Sequence, residues 1–365
     1  MSGLRRLRIV GTGLIGTSLG LALRGSDVDV SLADPSPTAC TLARDLGAGR
    51  LAEQVEPDVD LVLVACPPDV VAQVVAAELT AHPNAVVSDV ASVKSAILKE
   101  LRASGADLSR YIGSHPMAGR ERSGAVAGRA DLFSGRPWVL VPHESTSARA
   151  RELVTELVRA VGAVAATMPA REHDAAVAAV SHVPQVAASL VASQLRDLPT
   201  EAIGLSGQGV RDVTRIAASD PTLWTQILVG NAAAVAQILR HLREDLDTVL
   251  EALSALGEDP DSDAPGARSV LARLIAEGNA GQARIPGKHG APPTTYATVT
   301  VLVPDEPGQL GRLFTDMGQE GINLEDLHID HAMGRLMGVV ELLVRPADAD
   351  PLRAGLSARG WTLSE

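Results

Sequence analysis

The apolar positions follow two regimes along the chain. From Leu7 to about Pro169, short continuous apolar runs alternate with stretches at helical spacing. Leu7–Val10, Val28–Ala33, Leu61–Ala65, Ala85–Val87, Tyr111–Gly113 and Trp138–Val141 read as strands. A strand that is apolar at every position has both faces covered, so strands of this kind separated by helices predict a doubly wound, parallel α/β sheet. At Arg171 the pattern changes: Asp174–Leu195 and Leu223–Leu256 carry Ala, Val, Leu and Gln at helical spacing, which predicts an all-helical second domain up to Gly257. Glu258–Gly266 is a Pro/Asp/Gly/Ser-rich break. A short helical pattern at Ala267–Glu277 follows, and Ile285–Thr294 is again rich in Pro and Gly, so 258–294 reads as a linker. Beyond it the expected order is strand Tyr296–Val303, helix Gln309–Gln319, strands Leu327–Asp330 and Gly338–Leu343, helix Pro351–Arg359 and strand Trp361–Leu363. That βαββαβ order predicts a ferredoxin-like α+β unit. The chain thus divides into 1–170, 171–257, 258–294 and 295–365.

Composition narrows the function classes. A chain of 365 residues exceeds one hydrophobic core, in keeping with several domains. Aromatic residues are only 2%, so Ala, Val and Leu carry the packing. The net charge of −12, with no Lys/Arg-rich segment, argues against nucleic-acid binding. An anionic substrate must then be drawn in by local cations or helix N-termini, which makes individual arginines informative. Cys40 and Cys66 give neither a disulfide framework nor a metal-ligand spacing, and a reduced, cytoplasmic chain is expected. Residues Met1–Arg8 are basic, but Gly11, Gly13 and Gly16 interrupt the apolar run behind them and no cleavage site follows, so no signal peptide is expected. No uninterrupted apolar run reaches the roughly 18 residues of a membrane span.

The strand Leu7–Val10 runs directly into Gly11-Thr12-Gly13-Leu14-Ile15-Gly16, and a helical pattern, Thr17–Arg24, follows. This is the dinucleotide fingerprint in its required context. Gly11 serves the tight turn, Gly13 lets backbone approach a pyrophosphate, Gly16 allows close helix–strand packing, and the helix N-terminus receives the negative charge. The second strand ends at Asp34, about 20 residues on, where a carboxylate can bond the adenosine ribose hydroxyls and repel a 2′-phosphate. No arginine follows, because Pro35-Ser36-Pro37-Thr38 comes next, so NAD is expected in preference to NADP. The other reading of Asp34 is a cap on the turn before Pro35. Cys66 and Pro67, after the strand Leu61–Ala65, lie at another strand C-terminus and are expected to line the nicotinamide side.

Four further blocks follow: Ser88-Asp89-Val90-Ala91-Ser92-Val93-Lys94; Gly113-Ser114-His115-Pro116-Met117-Ala118-Gly119; Ser181-His182-Val183-Pro184-Gln185; and Arg211-Asp212-Val213-Thr214-Arg215-Ile216-Ala217, leading to Ser219-Asp220-Pro221 and Trp224. Together with the fingerprint they resemble the prephenate/arogenate dehydrogenases, over about residues 7 to 256. The C-terminal unit, with Pro304-Asp305-Glu306-Pro307-Gly308-Gln309-Leu310 and Gly321-Ile322-Asn323-Leu324, looks like an ACT domain. The resemblance implies NAD-dependent oxidative decarboxylation of prephenate or arogenate in tyrosine biosynthesis, a homodimer formed by the helical domains, and tyrosine or another amino acid as effector at the ACT-like unit.

By the same resemblance His115 accepts the proton of the substrate's C4 hydroxyl, a role suited to a group with an unperturbed pKa near ~6.5. Ser92 shares the hydroxyl contact, and Arg215 grips a carboxylate with its planar fork. Arg211, His182 and Trp224 fall on substrate-side positions, and Glu121 on a gating acid. Each has a plainer reading: a backbone-bonded loop histidine for His115, a surface pair with Asp212 for Arg215, a core histidine for His182, and a solvated carboxylate beside Arg120 and Arg122 for Glu121. Many relatives carry a histidine where this chain has Gln185, which leaves prephenate and arogenate both open. The remaining histidines, including His143, His173, His241, His328 and His331, show no metal-ligand spacing, and no metal is expected. Two other readings stay open. The β-hydroxyacid dehydrogenases typically use a helical-domain lysine, and Arg171–Gly257 contains none. An NAD sensor with an amino-acid-binding tail would leave the His115 and Arg215 blocks without a task.

Overall fold

A computed structural model describes residues 3–53, 56, 58–119, 124–258, 264–286, 296–331 and 337–364. The chain forms two compact units, 1–246 and 247–365. The first unit holds strands β1 (Arg6–Val10), β2 (Asp29–Ala33), β3 (Arg50–Leu51), β4 (Leu61–Val64), β5 (Val86–Asp89), β6 (Tyr111–Pro116), β7 (Pro137–Val141) and β8 (Val164–Thr167), in the sheet order β3-β2-β1-β4-β5-β6-β7-β8. Helices α1 (Leu14–Ala22), α2 (Pro37–Asp45), α3 (Pro68–Ala81), α4 (Ser95–Ala103) and α5 (Ala148–Ala160) connect them. β4 shows why the runs are continuous. Leu61 and Leu63 enter the core shared with α1 and α5, while Val62 and Val64 enter the core shared with α3 and α4. Successive side chains point to opposite faces, so a strand covered on both sides must be apolar throughout.

The sheet departs from the expected all-parallel arrangement at one pair. β1 to β6 run parallel, but β7 is antiparallel to β6, and β8 is parallel to β7. A parallel pair needs a crossover, usually a helix. Among the described residues between β6 and β7 the only helical piece is the 3₁₀ turn Ala125–Ala127. This excursion instead covers α1, where the Arg129 amide donates to Ser18 Oγ at 3.0 Å, and then returns beside β6. The edge strands β3 and β8, absent from the expected set, are only two and four residues long and largely exposed.

The helical part begins with α6 (Ala170–Val177), a π turn (Ala178–His182) and α7 (Val183–Gln194) in one continuous run. The π turn has a cause in the sequence: Pro184 has no N–H, and its ring crowds the carbonyl four residues back, so the helix widens ahead of it. By length and composition this run is apolar enough to cross a membrane, yet His173, Asp174, His182 and Gln185 on it are all buried within the protein. α8 (Thr200–Ile203), α9 (Gln208–Thr214), α10 (Pro221–Gly230) and α11 (Ala232–Glu258) follow. Leu223–Leu256, expected as one helical stretch, breaks at Asn231, where α10 and α11 are bent by 92°. The Asn231 amide turns inward and donates to the Asp174 carbonyl at 2.7 Å.

The second unit contains α12 (Ala267–Gln282), longer than the sequence pattern suggests, and a four-stranded antiparallel sheet. Its strands are β9 (Ala297–Pro304), β10 (Asp326–His331), β11 (Met337–Val344) and β12 (Thr362–Ser364), in the order β10-β11-β9-β12. Helices α13 (Gln309–Gln319) and α14 (Pro346–Ala358) complete a βαββαβ sequence. Val299, Val301 and Val303 alternate inward from β9 against Leu313, Met317, Leu352 and Leu356, giving this sheet a core of its own. α14 starts ahead of the expected Pro351, because Pro346 already occupies the first helical turn and Pro351 is tolerated inside the helix.

Candidate active site

The fingerprint loop is shaped by missing atoms. Gly11 has φ +103°, and a Cβ there would lie 2.5 Å from the Ala65 carbonyl oxygen; a Cβ on Gly16 would lie 2.0 Å from the Gly11 oxygen. Neither position can carry a side chain without moving backbone. A Cβ on Gly13 would meet nothing within 4 Å, so this stretch of backbone is open to a ligand immediately before the N-terminus of α1. The first-turn N–H groups of a helix lack intrahelical partners and favour anions, so the residues present fit a dinucleotide pyrophosphate. Asp34 braces the loop: its carboxylate accepts from Thr12 N (2.7 Å), Thr12 Oγ1 (2.9 Å) and Ser36 N (2.8 Å).

A cleft of about 960 Å³ runs from Gly11, Gly13 and Asp34 past Cys66 and Pro67 to Ser92, His115 and Trp224. Leu14 and Ile15 of the fingerprint also line it. Burial, followed by the charges of Asp34 and Glu78, pushes the Cys66 thiol up to about 11. It therefore stays protonated near neutral pH and lines the wall as an unreactive group.

At the other end of the cleft a buried polar network stands behind His115. His115, near the end of β6, bonds through Nδ1 to Nε2 of His173 at 2.9 Å, and His173 Nδ1 bonds to Asp174 Oδ1 at 2.9 Å. Asp174 also accepts from Lys94 N (2.9 Å) and Ser95 N (2.8 Å), which holds α6 against the start of α4. Burial would raise the Asp174 carboxyl, but the hydrogen bonds from His173, Ser95 and Lys94 pull it below its ordinary value. Beneath lies Asp89, paired with the buried Lys94 ammonium and accepting from Tyr111 OH at 2.7 Å. His182 is 1% exposed, meets Asn231 Nδ2 through Nδ1 at 3.2 Å and packs edge-on to Trp224 with ring centroids 6.0 Å apart. Burial, then the neighbouring His173, Lys94 and His182, hold His115 well below the usual histidine pKa. Its imidazole is neutral at physiological pH, the form a base requires.

Comparison with known proteins gives the family of the chain. Residues 19–167 match the prephenate dehydrogenase nucleotide-binding domain, and residues 169–264 match the prephenate dehydrogenase dimerization domain. The chain is 40% identical to the probable prephenate dehydrogenase NovF of Streptomyces niveus, over 98% of this chain and 99% of that protein. The chain belongs to the prephenate dehydrogenase family. It is also 33% identical to the cyclohexadienyl dehydrogenase of Zymomonas mobilis, over 71% of this chain and 92% of that one. The crystal structure of Aquifex aeolicus prephenate dehydrogenase in complex with hydroxyphenyl propionate and NAD+ superimposes with a TM-score of 0.66 at 26% identity, covering 76% of this chain and 97% of the other. As a member of the family this chain is an NAD-dependent dehydrogenase of tyrosine biosynthesis.

In this prephenate dehydrogenase family member the sequence-derived residues divide by location. Gly11, Gly13, Leu14, Ile15, Asp34, Cys66, Pro67, Ser92, His115 and Trp224 line the one cleft, with Gly16 packed beneath the loop. His182 and Gln185 are buried behind the lining; the Gln185 amide oxygen accepts from Ser219 Oγ at 3.4 Å, and Ser219 itself faces the cleft. Arg211 and Arg215 are exposed, on α9 and on the 3₁₀ turn after it, and neither is among the described cleft-lining residues. The Asp212 carboxylate, three residues before Arg215, accepts from Gln208 Nε2 at 2.8 Å. Glu121 lies outside the described residues. Sequence reasoning missed His173, Asp174 and Asn231, and gave no task to Asp89 and Lys94. The available signal was a His-Asp pair just ahead of the apolar run Ala175–Val180, and a lone Asn between two apolar helical stretches.

Proposed function

We propose that the enzyme oxidatively decarboxylates prephenate, arogenate or both, with His115 taking the proton of the C4 hydroxyl. The observation that carries this reading is a neutral, cleft-lining His115 sharing one cavity with Gly11, Gly13 and Asp34. When bound, NAD accepts the hydride from C4. The protein's own groups do the rest. Ser92, also on the wall, shares the hydroxyl contact, and proton withdrawal makes the oxygen push electrons toward C4. Loss of the ring carboxylate as CO2 leaves an aromatic ring, which makes the step irreversible. Arg215 stands four residues before the cleft-lining Ser219 and supplies the fork for a substrate carboxylate; Arg211, Trp224, His182, Gln185 and Glu121 complete the substrate side. Asp34 selects NAD by its negative charge at the ribose end.

The reading extends to organisation: a nucleotide part to residue 170, a helical part 171–257, a linker 258–294 and an ACT-like regulatory unit from 295. Exposed Leu190, Leu205 (86% exposed), Val229 and Leu242 on the helical part support a homodimer. The free thiols of Cys40 and Cys66 support a cytoplasmic enzyme. The order β10-β11-β9-β12 and the left-handed Gly308 at the start of α13 support the ACT-like reading, with tyrosine bound near Gly308 and Asn323.

The test mixes purified protein with NAD and either substrate and follows absorbance of reduced cofactor. Activity is expected with at least one, and His115→Asn is expected to lower kcat by about 100-fold or more with NAD affinity kept. Near-normal kcat in that variant removes His115 from the chemistry. A tyrosine titration with neither heat nor a change in rate rejects tyrosine as the effector.

A further inference from the structure

We infer that His173 and Asp174 are positioning residues that fix the His115 tautomer and share the proton that His115 takes up. The inference rests on the reading of His115 as the base. It starts from which atom can donate at each link. The Asp174 carboxylate, ionised and already accepting from Lys94 N and Ser95 N, has only acceptor sites to offer, so His173 carries its proton on Nδ1. With that proton on Nδ1, His173 has the Nε2 lone pair to accept with, and His115 Nδ1 donates the bond at 2.9 Å. The ring nitrogen left to His115 for the cleft is Nε2, with its lone pair. The fixed chain Asp174, His173, His115 thus delivers the base in the one tautomer that works.

The same chain suits the proton balance of the reaction. Hydride leaves C4, CO2 leaves C1, and the hydroxyl proton removed at the start is needed again on the phenol oxygen of the product. No proton is released overall, so the base takes up a proton and returns it. After His115 Nε2 takes that proton, the Nδ1–H bond of His115 breaks and an Nε2–H bond forms on His173. The positive charge then rests beside the Asp174 carboxylate, which stays ionised. On product formation both steps reverse. His173 is fully buried and Asp174 is 5% exposed, so the stored proton has no direct contact with bulk water. The other titratable groups facing the pair are Lys94, held by Asp89 with Tyr111, and His182 from the π turn. His173 and Asp174 stand at the start of α6, on a segment far from β6 in the chain, and His173 lies 58 positions after His115.

The experiment compares kcat against pH for the full-length wild type and for His173→Gln, Asp174→Asn and His115→Asn, with saturating NAD and prephenate, and arogenate in parallel. The glutamine side chain of His173→Gln can accept from His115 and donate to Asp174, preserving the geometry, but cannot hold the proton. We expect kcat to fall about 10-fold or more with KM within about 3-fold, and the acidic limb of the profile to move to lower pH. Asp174→Asn is expected to move the limb the same way, because loss of the carboxylate charge weakens the histidine pair as a base. If Asp174→Asn fails to fold, judged by NAD titration and circular dichroism, because it loosens the start of α4, His173→Gln decides alone. Full activity in His173→Gln, or a lower plateau with an unmoved limb, overturns the proton sharing while leaving His115 as the base. Retained activity in His115→Asn overturns both readings together.

Discussion

The two ends of the cleft are built by different means. The cofactor end is made of backbone: Gly11, Gly13 and Gly16 within six residues, closed by Asp34 on the neighbouring strand. Its requirements are absences, since a Cβ at Gly11 or Gly16 would strike a carbonyl oxygen. The chemical end is made of side chains: Asp89 with Lys94, His115, His173 with Asp174, His182 and Asn231 come from five segments that meet only after folding. A site made of backbone is local and leaves a short motif. A site made of buried side-chain bonds is distributed, and each member looks ordinary in its own segment.

The largest effect is expected where the backbone leaves no room. Gly16→Ala places a methyl group 2.0 Å from the Gly11 oxygen, and backbone on both sides prevents relief. Loss of about 3 kcal/mol or more of stability, or about 100-fold in NAD affinity, is expected by denaturant unfolding and NAD titration. An alanine variant that binds NAD normally would falsify the backbone account of this end.

The chemical end is expected to respond to acid instead. Burial first, offset in part by Asp174, lowers His182 from the ordinary histidine value of 6.5 to about 4. Between those values the unfolded chain binds a proton that the folded chain refuses, so stability is full above about pH 6.5 and is lost as pH falls toward 4. The loss attributable to this one group is on the order of 3 kcal/mol. Urea unfolding across that range should show it, and His182→Asn should flatten the slope; an unchanged slope in the variant would mean that other groups cause the acid sensitivity.

Asp34 sharpens the comparison, since its carboxylate both braces the loop and faces the cleft. Asp34→Asn should raise the NADP/NAD ratio of kcat/KM by about 10- to 100-fold, the scale of one or two polar contacts. Equal loss with both cofactors would reduce Asp34 to a brace.

The smallest expected effect is at Gln185, which reaches the cleft through Ser219. Its amide can donate to a carboxylate and accept from the ammonium of arogenate, whereas a protonated histidine only donates. Arogenate is therefore expected to be used at least comparably with prephenate, and Gln185→His to shift preference toward prephenate by about 10-fold. Steady-state kcat/KM for both substrates checks this, and a strong wild-type preference for prephenate sinks it.

Some of this protein could be read directly from the chain. The strands β1, β2, β4, β5, β6 and β7, the glycine loop and Asp34 are legible because their causes are local: apolar runs mark strands covered on both faces, and a glycine motif marks backbone that tolerates no Cβ. Ser92 and His115, which line the cleft, were reached only through the resemblance of their blocks to a known family. The reversal of β7 was not legible, since strand direction depends on where the chain ahead of β7 packs over α1, as Arg129 does on Ser18, and no periodicity records that. Nor was the bend at Asn231, in a stretch whose helical spacing continues on both sides. His173 showed no metal spacing, and Asp174 is one of several polar residues at the start of α6; only the packing of α6 against the start of α4 puts them behind His115. A hydrogen bond of 2.9 Å between residues 58 positions apart is a property of the folded chain. Local sequence fixes which groups each segment carries, and tertiary packing decides which of them are close enough to share a proton.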